Sequence, residues 1–142
     1  MMRYIVVIVG LLCCLQACTL RPESVKPAER PLVLYPEYQD VTIPCNIAPL
    51  NFLLRNEGVD AVCVTVKGDL DSLQVNARGN KVVFPLKPWH ALLEAEKGRT
   101  LEVTVTARLG GQWLRYPPFT WQVVADRLDT YVSYRLIEPG YE

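Results

Sequence analysis

Histidine is nearly absent from this chain: His90 stands alone among 142 residues. A Ser–His–Asp triad or a His-rich metal site would need it, and so would covalently held haem. No Cys-x-x-Cys-His run accompanies it. An excess of charge is also missing, because 15 basic and 15 acidic residues cancel. Nucleic-acid binding rests largely on neutralising phosphates with Lys and Arg, so no nucleic-acid partner is expected. A phosphate-cradling glycine loop is missing as well; Gly110-Gly111 reads as a hairpin turn. The apolar run Ile5–Leu15 has 11 residues and includes Gly10, which is too short to span a bilayer as a helix. What the chain does have is apolar residues, at 50%, so disorder throughout is excluded.

The short run makes sense as a signal core. Arg3 gives a positive start, Ile5–Leu15 follows, and Leu15-Gln16-Ala17-Cys18 ends it. This ending resembles the bacterial lipobox, with Leu three before the cysteine and a small residue at the cut. Gln16 is a mild departure from the usual pattern. The expectation is a signal peptide over residues 1–17, cleavage before Cys18, and a lipid thioether on the Cys18 sulfur. An ordinary secretory signal with a chance cysteine is the competing reading. Removing residues 1–17 takes away Arg3 and no acid, so the mature chain is one unit negative.

Residues 18–31 hold Pro22, Pro27 and Pro31, which block regular hydrogen bonding. They read as a semi-extended tether. Residues 32–142 then form one domain of ordinary size. Their apolar period is mostly two. Leu101, Val103, Val105, Ala107 and Leu109 alternate with Glu102, Thr104, Thr106 and Arg108, as in a half-buried antiparallel strand. Val62, Val64 and Val66 repeat the pattern, as do Leu50, Phe52 and Leu54, then Leu73, Val75 and Ala77. A strand over Val82, Phe84 and Leu86 is expected, another from Phe119 to Ala125, and a last one from about Tyr131 to Ile137. Pro88 to Gly98 breaks the rule and predicts a short helix crossing between sheets. The fold class is therefore all-β: an immunoglobulin- or fibronectin-like β-sandwich with one short crossover helix.

Within that body the chemistry is thin. Cys45 and Cys63 would sit in an oxidising compartment, where they either pair as a disulfide or serve as two small buried side chains. A Cys63–His90 dyad is conceivable, but a surface histidine and a structural cysteine are the commoner outcome. The spacing of Cys45, Cys63 and His90 matches no compact zinc pattern, so no metal and no cofactor are expected. Asp69-Leu70-Asp71 reads as a solvated turn rather than a calcium loop. Trp121 shares a face with Phe119 and Val123 and belongs to the core. Trp113 and Tyr116 lie near a hairpin tip and are the candidates for ligand contact, for instance stacking on a sugar ring.

Two segments carry a family resemblance. Tyr35-Pro-Glu-Tyr-Gln-Asp-Val-Thr-Ile-Pro-Cys-Asn-Ile-Ala-Pro-Leu-Asn-Phe52 resembles the opening of exported Bacteroidetes proteins with TolB-like propeller domains. Tyr131-Val-Ser-Tyr-Arg-Leu-Ile-Glu-Pro-Gly-Tyr-Glu142 is similar to a later motif of that group. Where this chain has Cys45 the group usually has Pro. The resemblance implies a lipid anchor, a β-sandwich, a haem-type Cys-x-x-Cys-His segment and then a propeller, with this chain ending before the last two. With the signal, the uniform strand pattern and the lack of a catalytic constellation, the expectation is a non-enzymatic scaffold or binding domain of the cell envelope, the front module of a TolB-like protein. Its partners are then the membrane, through the anchor, and other envelope proteins or glycans. The alternative is a glycan-binding module of a surface sugar-uptake system. Thr-Leu-Arg-Pro after Cys18 has no acidic run, which favours a periplasm-facing anchor.

Overall fold

The computed structural model describes residues 20–129 and 131. Residues 1–17, Cys18 and most of the expected Tyr131–Ile137 strand lie outside them. Among the described residues are ten strands: β1 (Lys26–Pro27), β2 (Leu34–Tyr35), β3 (Val41–Pro44), β4 (Phe52–Leu54), β5 (Val59–Lys67), β6 (Ser72–Arg78), β7 (Lys81–Val82), β8 (Thr100–Leu109), β9 (Gln112–Arg115) and β10 (Phe119–Val124). One helix, α1 (Leu86–Ala95), sits between β7 and β8. Seven strands form a large sheet, and β2, β4 and β7 form a second, smaller one. The protein is thus an all-β sandwich with one short helix.

β8 organises the large sheet because its sequence alternates most cleanly. Leu101, Val103, Val105 and Ala107 are buried on the core side. One edge of β8 pairs with β5 along nearly its whole length, with Val64 opposite Val105 and Val66 opposite Val103. β6 continues the sheet beyond β5 through the 68–71 turn. The other edge of β8 is shared, with β9 pairing along its second half and β10 along its first. Gly110 and Gly111 make the tight β8–β9 turn, with φ of +56° and +82°. Positive φ at both central positions is what a type I′ hairpin requires.

β9 and β10 amount to one strand interrupted at Pro117-Pro118. Arg115 pairs with Thr106 and Phe119 with Val103, so the β9–β10 side carries one residue more than β8. Such a bulge suits two residues that lack an N–H. It also changes which parity faces inward. Tyr116 is buried in the core before the bulge, and Phe119, Trp121 and Val123 after it. Two parallel pairings complete the sheet, β3 on β10 and β1 on β9.

The helix begins two residues before the expected Pro88 and follows Pro85 as N-cap. Pro88 is its third residue, where a backbone N–H has no intrahelical acceptor, so proline costs no hydrogen bond there. Leu86 starts the helix rather than ending β7, and β7 itself is only Lys81–Val82. Trp89, Leu92 and Leu93 pack inward from α1. Trp89 and Trp121 meet edge to face at 5.6 Å, and both contact Phe84. Each indole N–H finds a carbonyl, Trp89 at Ile47 (3.0 Å) and Trp121 at Tyr38 (2.6 Å). Burying each of these large side chains contributes about 1.5–3 kcal/mol.

The Pro-rich stretch differs from the tether expected of it. Lys26 and Pro27 pair with β9, and the Ala28 N–H donates to the Arg115 carbonyl at 2.8 Å. Gln112 donates to the Ser24 carbonyl and Asn56 to the Pro31 carbonyl. Leu20 and Val25 pack on the outer face of the large sheet, while Ala28 and Leu32 pack on the core. Among the described residues, Leu20 to Pro31 are therefore part of the folded body, ahead of the expected start at Leu32.

Candidate functional site

The described sites expected from the sequence fall in three places: Cys45, Cys63 with Trp113, and Tyr116. Cys18, the expected lipid site, lies outside the described residues. Cys45 and Cys63 are both buried and both free, so the disulfide is not formed. Strand alternation is the reason. Val62 and Val64 point into the core, so Cys63 between them points out of the opposite face, where it meets Ala61 and Trp113. Cys45 follows β3 into the main core, and its thiol points at the carbonyls of Ala125 (3.4 Å) and Asp126 (3.6 Å). Burial pushes the Cys63 thiol up, and the Gln74 amide donating to its sulfur at 3.5 Å only partly offsets this. A thiol held protonated is a poor nucleophile.

Trp113 and Tyr116 are not an exposed contact pair. Trp113 is 6% exposed and Tyr116 2%. They face opposite sides of the sheet, because they differ in parity along one strand. Trp113 lies in the outer cluster with Ala61 and Cys63, covered by Leu20 and Val25, with the Arg108 guanidinium 5.7 Å from its ring. Arg108 in turn bonds Asp60 at 2.8 Å. Tyr116 belongs to the main core, and burial raises its hydroxyl pKa above the usual tyrosine value. What made both residues look like contacts was their nearness to Gly110-Gly111. What buries Trp113 is a segment some 90 residues upstream, which no local pattern reveals.

Three concavities stand out among the described residues, one of about 350 Å³ where Val25, Pro27 and Ala28 meet Arg115, Tyr116 and Pro117. A groove of about 350 Å³ runs beside β1, its apolar wall made by Pro27, Ala28, Leu109, Leu114 and Tyr116 and its rim by Lys26, Glu29, Arg30 and Glu57. A smaller hollow of about 160 Å³ joins Cys45 and Asn46 to His90, Glu94 and Arg127. The histidine thus neighbours Cys45 and not Cys63, so the dyad imagined from the sequence is not assembled. Lys97 and Arg127 both pair with Glu94 and hold its carboxyl below the usual range. No group of three metal-ligating side chains is assembled among the described residues.

The most unusual ionisable group is one that the sequence alone does not single out. Glu96, at the C-cap of α1, is fully buried. Its Oε1 accepts the backbone N–H groups of Leu70 (2.6 Å) and Asp71 (2.8 Å) in the β5–β6 turn. Its Oε2 has no partner among the described residues. Burial opposes the charge, but the N–H groups of Leu70, Asp71 and Asp69, with Arg99 nearby, outweigh it and set the carboxyl below its ordinary value. The arrangement ties the helix end to the turn, and its chemistry is structural. Glu96 sits three and four residues after Leu93 and Leu92, on the apolar stripe of the helix, which was the available signal.

None of the described helices is long and apolar enough to cross a membrane. No family model, curated protein or solved structure matches the chain.

Proposed function

We propose that this protein is a lipid-anchored, non-enzymatic domain of the cell envelope that binds or positions other envelope components. The observation that carries the reading is the Leu15-Gln16-Ala17-Cys18 ending after a charged start and an 11-residue apolar run. A thioether-linked diacylglycerol at Cys18 would bury many methylenes at about 0.8 kcal/mol each, enough for firm attachment when further acylated. The state of the reactive side chains supports a binding role over a catalytic one. Cys45 is bound to main-chain carbonyls, Cys63 is buried beside Trp113, and Glu96 is engaged with a turn. The groove beside β1 is the natural place for a ligand, since it combines an apolar wall with a charged rim. From the TolB-like resemblance the reading keeps the role of a front module, and from the Thr-Leu-Arg-Pro run after Cys18 a periplasm-facing anchor.

The glycan-binding alternative relied on Trp113 and Tyr116 as a stacking platform, and both are buried. Metabolic labelling with a clickable fatty acid tests the leading reading. Wild type should take up label and Cys18→Ala should not. An unlabelled wild type ends the proposal.

A further inference from the structure

We propose that the outer face of the large sheet, around Trp113, lies against the lipid headgroups, held there by a linker of two residues. This rests on the reading of Cys18 as the lipid site. A freely extended stretch from Cys18 to Pro31 would let the body stand off by about 45 Å. The structure removes nearly all of that slack. Leu20 and Val25 are packed on the cluster of Ala61, Cys63 and Trp113, and Gln112 clamps Ser24 at 2.8 Å. Two residue steps, from Cys18 to Leu20, can reach at most about 7 Å. The sulfur of Cys18 therefore cannot leave the neighbourhood of this face, and the acyl chains it carries must enter the bilayer there.

The face itself suits that position. Strand alternation gives it Thr42, Gln74, Asn76, Thr104 and Gln122, polar groups that tolerate a hydrated headgroup layer. Its charges lean positive. Lys67 stands opposite Glu102, and Arg108 is bonded to Asp60. Arg78 and Arg115 remain without an ion-pair partner among the described residues, while Arg21 and Glu23 on the arriving segment offset each other. Unmatched arginines and lysines near a surface are drawn to anionic lipid. The opposite side of the molecule, with α1 and the small sheet, then faces away from the membrane.

The three tryptophans provide the test. Trp113 lies on the outer face, whereas Trp89 and Trp121 lie inside the sandwich. The full acylated chain is placed in vesicles of phosphatidylethanolamine and phosphatidylglycerol containing a lipid with a nitroxide headgroup. Part of the tryptophan fluorescence should be quenched, and that part should be missing in Trp113→Phe. A long Gly-Ser insertion between Cys18 and Leu20 should also abolish the quenching, while leaving Trp113 in place. An unquenched wild type, quenching that persists in Trp113→Phe, or quenching that survives the insertion overturns the proposal. The mass of the mature chain separates the two levels. A chain without acyl groups overturns the anchor and this orientation together, whereas an acylated but unquenched chain overturns the orientation alone.

Discussion

The Glu96 carboxyl occupies the space that any side chain at residue 68 would need: a Cβ built on Gly68 would lie 2.2 Å from Glu96 Cδ. Glycine is required there by the close approach of the buried acid. Gly68→Ala should therefore be destabilising by about 1–3 kcal/mol, the usual cost of overpacking a filled site. Urea denaturation measures it. A variant as stable as wild type would mean that the helix end and the 68–71 turn are not in contact.

The same contact makes stability depend on pH. The folded-state pKa of Glu96 lies below its ordinary value, so the native state favours the ionised form. Its contribution is complete above the unfolded carboxylate pKa of about 4.3 and is lost as pH falls through the lower folded value. Glu96→Gln removes the charge at every pH. The gap in urea midpoint between wild type and Glu96→Gln should be constant near neutrality and close as the solution becomes acidic. A gap that widens in acid contradicts the assignment.

Free thiols give a simple outcome. Cys45 and Cys63 are unpaired and buried, so adding reductant should leave the unfolding midpoint unchanged. A thiol reagent should modify both only at the rate of unfolding, because neither sulfur is accessible in the native state. A midpoint that drops with reductant would reveal a disulfide.

Trp113→Ala should cost about 3–5 kcal/mol, as expected when a large buried aromatic is truncated. Part of the loss is the seating of Leu20 and Val25. Amide exchange at Val25 and Ala28 should accelerate more in this variant than exchange in β5. Trp113→Phe should keep most of the stability.

Deleting Pro118 removes the extra residue of the bulge. The register would then carry through, and Phe119, Trp121 and Val123 would turn from the core to the solvent face. The near-ultraviolet circular dichroism of the native protein should disappear. Retention of that signal would show that the bulge does not set the parity of β10.

Much of this architecture is readable in the chain. Val62, Val64 and Val66, with Leu101 to Leu109, announce strands by alternation, and Gly110-Gly111 announces the hairpin between β8 and β9. The core role of Trp121 follows from sharing parity with Phe119 and Val123. The misreadings have physical causes. Trp113 is buried by residues nearly the whole domain away, and alternation within β9 cannot report what arrives on its outer face. Glu96 lies on an apolar helix stripe, but its acceptability there depends on three N–H groups from a distant turn. The Pro-rich stretch lacks the pattern of a strand, since β1 is only two residues long and the residues flanking it, Ser24 and Pro31, are held by the Gln112 and Asn56 side chains.

The parallel pairings carry a kinetic consequence. Asp40, at the entry to β3, bonds Thr120 across 80 residues of chain, and Ser24 meets Gln112 across 88. β5 with β6 and β8 with β9 can close locally as hairpins, whereas β1 and β3 have nothing to join until β9 and β10 exist. Closing loops of that length is slow, since the chain loses its freedom before the contact is made. Among the described strands, β1 and β3 thus leave the ribosome well before the partners that hold them, and they are among the last to find their places.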